Sequence, residues 1–240
     1  MRKHIPNVIT CFNLLSGCIG IVLAFDSSLA KDGYENLVYA GYAILLAAIF
    51  DFFDGLAARL LHTHSDTGKE LDSLADMVSF GLLPSIIIYH LFLEAPQLGM
   101  LSNYLNYSAF LIAIFSALRL AKFNIDVRQS ENFIGLPTPA NAMLIASLPF
   151  IITDANGFWS AYILNPFFLF IFSFGMGILL IMEIPLISLK FKNLDYKENM
   201  YRYILLLSAI ILILIFKFAA VPIIVFLYIL ISVVQFRLVR

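Results

Sequence analysis

The stretch DFFDGLAARLLHTHSDTGKELDSLAD, residues 51–76, decides how the rest of the chain is interpreted. Asp51 and Asp54 lie three residues apart in an apolar segment, and Asp72 and Asp76 lie four apart at the start of the next one. Residues with these separations share one face of a helix. A short polar loop joins the two segments, so the sequence predicts antiparallel neighbouring helices whose carboxylate pairs face each other.

The composition around this stretch is that of a membrane protein. The 240 residues are 61% hydrophobic and only 13% charged, whereas soluble globular domains average roughly 45–50% apolar and about 25% charged residues. This excludes a soluble domain with a single anchor. We expect a polytopic membrane protein that has no nucleic-acid partner.

A membrane-spanning helix needs about 20 predominantly apolar residues, and the sequence predicts eight such helices in an all-α bundle. A six-helix core in residues 1–190 precedes a C-terminal two-helix hairpin in residues 191–240. The predicted helices are residues 6–25, 37–62, 70–93, 105–124, 137–153, 165–188, 201–216 and 219–237. Glu183 falls inside the sixth of them.

The basic residues predict the orientation. With the N-terminus inside, 13 of the 15 Lys and Arg residues fall on the inner side, and only Lys31 and Lys217 fall on the outer side. Cytoplasmic loops carry such an excess of positive charge. Both termini and the loop between the aspartate pairs are therefore predicted to be cytoplasmic. Asn7, Thr10 and Asn13 interrupt the first apolar segment, which argues against a cleaved signal peptide.

The four aspartates predict bound cations. Each carboxylate costs roughly 2.5–3.5 kcal/mol at the centre of a membrane helix, and four facing carboxylates repel one another. All-oxygen ligands favour Mg²⁺, Mn²⁺ or Ca²⁺, and four carboxylates suit two ions better than one. Zinc is disfavoured because no cysteine lies nearby, and His62 and His64 are interpreted as loop residues.

The residues between the aspartates permit more than one interpretation. Gly55 and Ala58 leave space for a ligand beside the ions, or they allow close helix packing. Arg59 binds a phosphate, or it anchors the helix on the cytoplasmic side. A structural ion site, a proton path or a divalent cation transporter would also use carboxylates in helices. A transporter places them near the midplane, whereas these lie toward the cytoplasmic end.

The spacing D51-x2-D54-G55-x2-A58-R59-x8-G68-x3-D72-x3-D76 resembles, without departure, the signature of the CDP-alcohol phosphatidyltransferases. Three further stretches resemble the bacterial and archaeal membrane-type members that use serine as the acceptor. They are IPNVITCFNLLSG (5–17), SALRLAKFN (116–124) and FIGLPTPANA (133–142).

This resemblance implies a six-helix catalytic core in the cytoplasmic membrane of a bacterium or archaeon, with its active site facing the cytoplasm. The implied reaction transfers the phosphatidyl group of CDP-diacylglycerol to L-serine and releases phosphatidylserine and CMP. Glycerol 3-phosphate, inositol or choline remain alternative acceptors. The implied cofactors are two divalent ions, Mg²⁺ or Mn²⁺. Members of the family are commonly homodimers, a state that this sequence neither supports nor opposes.

The roles that the resemblance implies fall into three sets. Asp51, Asp54, Asp72 and Asp76 hold the ions, and Asp76 also acts as the general base. The residues expected to contact the CDP moiety are Gly55, Ala58, Arg59, Gly68, Asn7 and Thr10. The residues expected to contact serine are Arg119, Lys122 and Asn124.

The acceptor can also be considered from the residues themselves. Arg119 and Lys122 lie three apart near the cytoplasmic end of the fourth predicted helix, and we prefer Arg119 for the serine carboxylate. Anchoring at the positive-inside surface is the alternative, and a phosphate-bearing acceptor would also need basic residues. No His-x-Lys sequence occurs, which disfavours a phosphohistidine route and favours direct attack on the donor.

Overall fold

The structure is a computed structural model that describes residues 4–29, 34–63, 65–126, 133–154, 158–188 and 195–238. It is helical almost throughout. The helices are α1 Ile5–Phe25, α2 Glu35–Leu60, α3 Asp66–Asp76, α4 Leu83–Glu94, α5 Met100–Leu105, α6 Leu111–Ile125, α7 Thr138–Asp154, α8 Phe158–Ile163, α9 Pro166–Ile181, α10 Tyr196–Phe216 and α11 Ala220–Leu238. Two short strands, β1 Phe133–Ile134 and β2 Pro185–Leu186, pair antiparallel.

The apolar helices confirm the predicted fold class. Among the described residues, five helical stretches are long and apolar enough to cross a membrane, and α7 and α9 supply shorter apolar helices. The last of the five stretches contains both α10 and α11, which the short 3-10 turn Lys217–Ala219 joins into a hairpin. All eight predicted segments are therefore helical, and the protein is an all-α polytopic membrane bundle.

The predicted end of the sixth helix is wrong. This helix was expected over residues 165–188, but α9 ends at Ile181 and the chain continues in extended form into β2. Pro185 accounts for the difference, because a proline ring inside a helix would clash with the carbonyl four residues earlier. Glu183 consequently lies in the extended segment. The predicted domain boundary, between residues 190 and 191, lies outside the described residues.

A tight turn brings α3 back beside α2. His62 adopts a left-handed conformation with φ of 51°, and the Thr63 amide donates to the Ala58 carbonyl at 3.1 Å. This is the hydrogen-bond pattern of a Schellman helix end. Ser65 then caps α3, since its hydroxyl accepts from the Gly68 amide at 3.0 Å. His64 lies outside the described residues.

The third predicted helix is not a regular helix. Asp76 ends α3, and the next six residues, Met77–Leu82, form a π-helical turn before α4 begins. A π turn adds a residue to the helical repeat and is frequent at functional sites. It rotates α4 relative to α3, so the aspartates of α3 and the apolar residues of α4 can both face the centre of the bundle.

Small residues let α1 approach the neighbouring helices closely. A Cβ atom on Gly17 would lie 2.5 Å from Ser79 Oγ, and one on Gly20 would lie 2.8 Å from Ala43 Cβ. In lipid the hydrophobic effect does not drive helices together, so their association depends on van der Waals packing, which small residues at the interface make possible. The polar residues of α1 are thereby held against α2, α3 and the π turn.

Candidate active site

Three of the four predicted aspartates meet where α2 faces α3. One carboxylate oxygen from each of Asp51, Asp72 and Asp76 lies within 4.8 Å of the other two. Asp54, which is only 6% exposed, interacts electrostatically with Asp72 and Asp76. The two carboxylate pairs therefore face each other, as their spacing predicts.

The chemistry of this group fits divalent cations. Asp54 Oδ2 and Asp72 Oδ1 are buried and have no hydrogen-bond partner within the described part of the chain. Buried carboxylates without partners are costly, and a cation would offset both that cost and the repulsion among the four. A ligand set made only of oxygen atoms suits hard ions such as Mg²⁺ and Mn²⁺.

Asn13 of α1 holds the carboxylate of Asp76. Its Nδ2 donates to Asp76 Oδ1 at 3.1 Å, and Asp76 itself is 8% exposed. The Asn13 carbonyl accepts from the Ser79 hydroxyl at 2.9 Å, which ties α1 to the π turn immediately after Asp76. Asp76 is therefore held by a residue of α1 that the π turn binds in its turn, and the hydrogen bond from Asn13 leaves the second carboxylate oxygen available.

The polar residues of α1 that were expected to contact CDP lie beside the motif. Thr10 is buried, donates to the Pro6 carbonyl at 3.0 Å and lies against the Asp54 carboxylate. Asn7 lies near the start of α3, where a Cβ on Gly68 would be 3.1 Å from Asn7 Oδ1. Gly68 therefore permits the close approach of α1 and α3.

Open space lies beside the α2 half of the motif. A Cβ placed on Gly55 would meet no described atom within 4 Å. Arg59 is exposed, and its Nε donates to the Gly55 carbonyl at 3.0 Å, while Ala58 is half-buried. Of the two interpretations of Gly55, room for a ligand agrees with this geometry, and close helix packing at Gly55 does not.

Arg119 of α6 is a buried cation. Its side chain is 7% exposed, and its guanidinium lies 5.8 Å from the centre of the Phe123 ring. It interacts electrostatically with Asp76. Its Nε has no hydrogen-bond partner among the residues that the structure describes. A guanidinium in this state is prepared to bind an anion.

The other two residues expected to contact serine make protein contacts. Lys122 Nζ forms an ion pair with Glu183 at 2.6 Å, at the surface of the bundle. Asn124 Nδ2 donates to Ser73 Oγ at 2.9 Å, and the Asn124 carbonyl accepts from Lys69 Nζ at 2.5 Å. These contacts tie α6 to α3 and to the extended segment after α9. Arg119, by contrast, is buried and interacts electrostatically with Asp76.

A family model described as CDP-alcohol phosphatidyltransferase matches residues 3–189. The chain belongs to the CDP-alcohol phosphatidyltransferase family. It is therefore a membrane-embedded transferase of phospholipid synthesis. All the predicted site residues lie within the matched range, whereas α10 and α11 lie beyond it.

Individual relatives of this CDP-alcohol phosphatidyltransferase carry names that specify an acceptor. A Bacillus subtilis protein named CDP-diacylglycerol–serine O-phosphatidyltransferase is 41% identical over 149 residues, which cover 62% of this chain and 76% of the relative. A Methanocaldococcus jannaschii protein with the same name is 32% identical over 204 residues, or 85% and 80% of the two chains. An archaetidylserine synthase of Methanothermobacter thermautotrophicus is 34% identical over 146 residues, which cover 60% of this chain and 56% of the relative.

Sequence reasoning missed several polar residues of this transferase. Asn13 was noted only as an interruption of an apolar segment, although it follows Asn7 and Thr10 at helical spacing and so continues their face. Ser116 and Asn141 are fully buried, and their side-chain polar atoms have no partner in the described ranges. Ser116 lies one helical turn before Arg119. This spacing is the signal from which Ser116 could have been predicted to share the helix face of Arg119.

Gly55→Leu is expected to raise the KM for the CDP-linked donor about tenfold, because the leucine side chain fills the space that a ligand would occupy. Folding should not suffer, since replacing a helical glycine by a good helix former favours the helix by roughly 1 kcal/mol. Gly175→Leu is the matched control, because a Cβ on Gly175 of α9 also meets no described atom within 4 Å. Equal donor KM values for the two variants would show that the space at Gly55 binds no donor.

Proposed function

We propose that this protein transfers the phosphatidyl group of CDP-diacylglycerol to the hydroxyl of L-serine and forms phosphatidylserine and CMP. Family membership gives the reaction class, and the names of the relatives support the acceptor. The observation that supports the acceptor assignment is Arg119, a buried guanidinium that interacts electrostatically with Asp76 and whose Nε has no hydrogen-bond partner among the described residues. Serine brings a carboxylate that such a cation would bind.

The aspartates of α2 and α3 would hold two divalent ions, Mg²⁺ or Mn²⁺. When bound, these ions would offset the charge of the diphosphate and of the departing CMP. The protein's own contribution is to bring the four carboxylates together at the ends of two helices, with Asn13 fixing Asp76. Gly55 and Ala58 would leave room for the nucleotide, and Arg59, whose Nε bonds the Gly55 carbonyl, would border that space. Gly68, Asn7 and Thr10 would contact the nucleotide from α3 and α1.

The chemical step is direct attack of the serine hydroxyl on the β-phosphorus of the donor. The new bond joins the serine oxygen to phosphorus, and the bond from phosphorus to the CMP oxygen breaks. Asp76 accepts the hydroxyl proton, and CMP leaves with the electron pair of the broken bond. Phosphoryl transfer of this kind depends mainly on alignment and charge stabilisation. Arg119 would align serine through its carboxylate, while Lys122 and Asn124 would support α6 through their contacts with Glu183 and Ser73.

The site would face the cytoplasm, with both chain termini on the same side. The excess of Lys and Arg on this side of the predicted topology supports the assignment. Among the described residues, Arg59, Lys69 and Lys122 lie at the end of the bundle that carries the motif. A boundary position suits the donor, because its acyl chains remain in the bilayer while cytidine and serine arrive from water.

The test is CMP release by the purified protein in detergent, with CDP-diacylglycerol, Mg²⁺ or Mn²⁺, and one acceptor at a time. Release that requires serine and is lost with EDTA is the expected result. Release only with glycerol 3-phosphate, inositol or choline would overturn the serine assignment and keep the reaction class. If no alcohol supported release, the aspartate cluster would have to be tested by divalent-ion flux in vesicles instead.

A further inference from the structure

The side-chain amide of Asn13 uses only one of its two ends within the described part of the chain. Asn13 is fully buried, and its Nδ2 donates to Asp76 Oδ1 at 3.1 Å. An ionised carboxylate only accepts hydrogen bonds, so the amide nitrogen must face Asp76 and the amide oxygen must point elsewhere. That oxygen, Asn13 Oδ1, is buried and accepts no hydrogen bond from any residue that the structure describes.

A buried acceptor in this state needs a donor. Buried polar atoms are nearly always paired, and an exception indicates a ligand, an ion, a water molecule or a catalytic role. The backbone of Asn13 is satisfied separately, because its carbonyl accepts from the Ser79 hydroxyl at 2.9 Å. Ser16, one turn later on α1, is also buried, but its hydroxyl donates to the Phe12 carbonyl at 2.8 Å within the same helix. Asn13 Oδ1 is therefore the polar atom available to a donor from outside the chain.

The polar residues of α1 divide the site along the helix. Asn7 lies near the start of α3, and Thr10 lies against the Asp54 carboxylate. Asn13 follows at the same spacing of three residues and bonds Asp76. The first two residues lie on the side proposed for the nucleotide. Asn13 lies on the side of the proposed base, to which the hydroxyl of the acceptor must come.

Serine presents a suitable donor next to its hydroxyl. Its ammonium group is attached to the carbon adjacent to the one that carries the hydroxyl. When the hydroxyl lies against Asp76, the ammonium is therefore within reach of an amide that is bonded to the same carboxylate. An ammonium group has three hydrogens to donate. Glycerol 3-phosphate and inositol have no nitrogen, and the quaternary nitrogen of choline has no hydrogen to donate.

We propose that Asn13 Oδ1 binds the ammonium group of the acceptor, and that Asn13 is thereby a specificity-determining residue for serine. The proposal rests on the proposed function, in which Asp76 accepts the proton of the serine hydroxyl. One side chain then orients the base through Nδ2 and the substrate through Oδ1. An acceptor without an ammonium group leaves the buried oxygen unpaired, and sites built in this way discriminate strongly against such analogues.

The experiment compares two acceptors, serine and 3-hydroxypropionate, which is serine without its ammonium group. CMP release is measured with CDP-diacylglycerol and Mg²⁺ for the wild-type protein, Asn13→Leu, Asn13→Asp and Ser16→Ala. Leucine is similar in size to asparagine and removes both ends of the amide, whereas aspartate removes the donor and keeps an acceptor oxygen. Ser16→Ala is the matched control for a polar-to-apolar change on α1. The thermal unfolding midpoint reports on the fold of each variant.

The wild-type protein is expected to prefer serine to 3-hydroxypropionate in kcat/KM by about 10- to 100-fold, the size of one hydrogen bond to a charged group. Asn13→Leu should lose most of this preference, and Asn13→Asp should keep it. In both variants kcat should fall with either acceptor, because Asp76 loses its hydrogen bond. The KM for CDP-diacylglycerol should change little, and Ser16→Ala should behave as the wild-type protein.

Three results would overturn the proposal. A wild-type protein that uses 3-hydroxypropionate as well as serine would contradict it without any variant. Equal losses with both acceptors in Asn13→Leu would show that Asn13 acts only on Asp76. A raised donor KM in Asn13→Leu, with the acceptor preference unchanged, would assign the oxygen to the nucleotide.

Failure of the proposed function is a separate outcome. If the wild-type protein releases no CMP with serine, the proposed function is wrong and this proposal is wrong with it. Serine-dependent release by the wild-type protein, combined with any of the three results above, contradicts the role of Asn13 alone.

Discussion

Asp76→Asn is expected to lower kcat by about 10³-fold, within the range of 10²–10⁴ that general acid–base catalysis contributes. Asparagine has nearly the same shape as aspartate, but its amide cannot accept the proton of the serine hydroxyl at neutral pH. Its oxygen can still accept from Asn13 Nδ2, which bonds Asp76 Oδ1 at 3.1 Å. Binding of CDP-diacylglycerol should therefore change by only a few fold.

The measurement separates turnover from binding, because donor affinity is titrated directly and kcat is obtained from CMP release. Asp66→Asn is the matched control. It makes the same chemical change in the same stretch of sequence, at an exposed position in the first turn of α3 outside the motif. Its cost should be limited to roughly 0.3–1 kcal/mol of helix stability. Near-normal turnover in Asp76→Asn would require another base.

The spacing of charged residues was enough to predict the centre of the site. Separations of three and four residues place the aspartates of each pair on one helix face, and a short loop makes the helices antiparallel. The structure brings Asp51, Asp72 and Asp76 within 4.8 Å for these reasons. Local periodicity determines such features, so they can be derived without knowledge of the rest of the bundle. The eight apolar segments were predictable on the same grounds.

Features that depend on contacts between distant segments could not be predicted. Nothing in the periodicity of residues 70–93 indicates the π turn after Asp76. In the structure, this turn contains Ser79, which Gly17 of α1 approaches closely. The pairing of Lys122 with Glu183 spans 61 residues, and the bond from Tyr228 to Ile187 spans 41. Such contacts are set by how helices pack, and a single sequence gives no measure of which helices become neighbours.

Arg119→Ala is expected to raise the KM for serine about 30- to 100-fold, with a much smaller change for CDP-diacylglycerol. Hydrogen bonds to charged groups contribute roughly 1.5–3 kcal/mol, and about 1.4 kcal/mol corresponds to a factor of ten. Lys122→Ala, three residues along the same helix, is the comparison. Lys122 pairs with Glu183 at the surface, so its removal should raise the serine KM far less. A serine KM unchanged in Arg119→Ala would exclude Arg119 from acceptor binding.

The stability of an Arg119 variant tests the same role independently of kinetics. A buried charge without a paired carboxylate costs free energy of folding, and Arg119 is 7% exposed with an unpartnered Nε within the described residues. Arg119→Met keeps an unbranched side chain and removes the charge together with its contact with the Phe123 ring. Because burying the uncompensated charge is the larger cost, its unfolding midpoint should equal or exceed that of the wild-type protein. Serine should then stabilise the wild-type protein against unfolding and leave Arg119→Met unaffected. A large loss of stability in Arg119→Met would instead make Arg119 a structural residue, because its charge would then be compensated within the bundle.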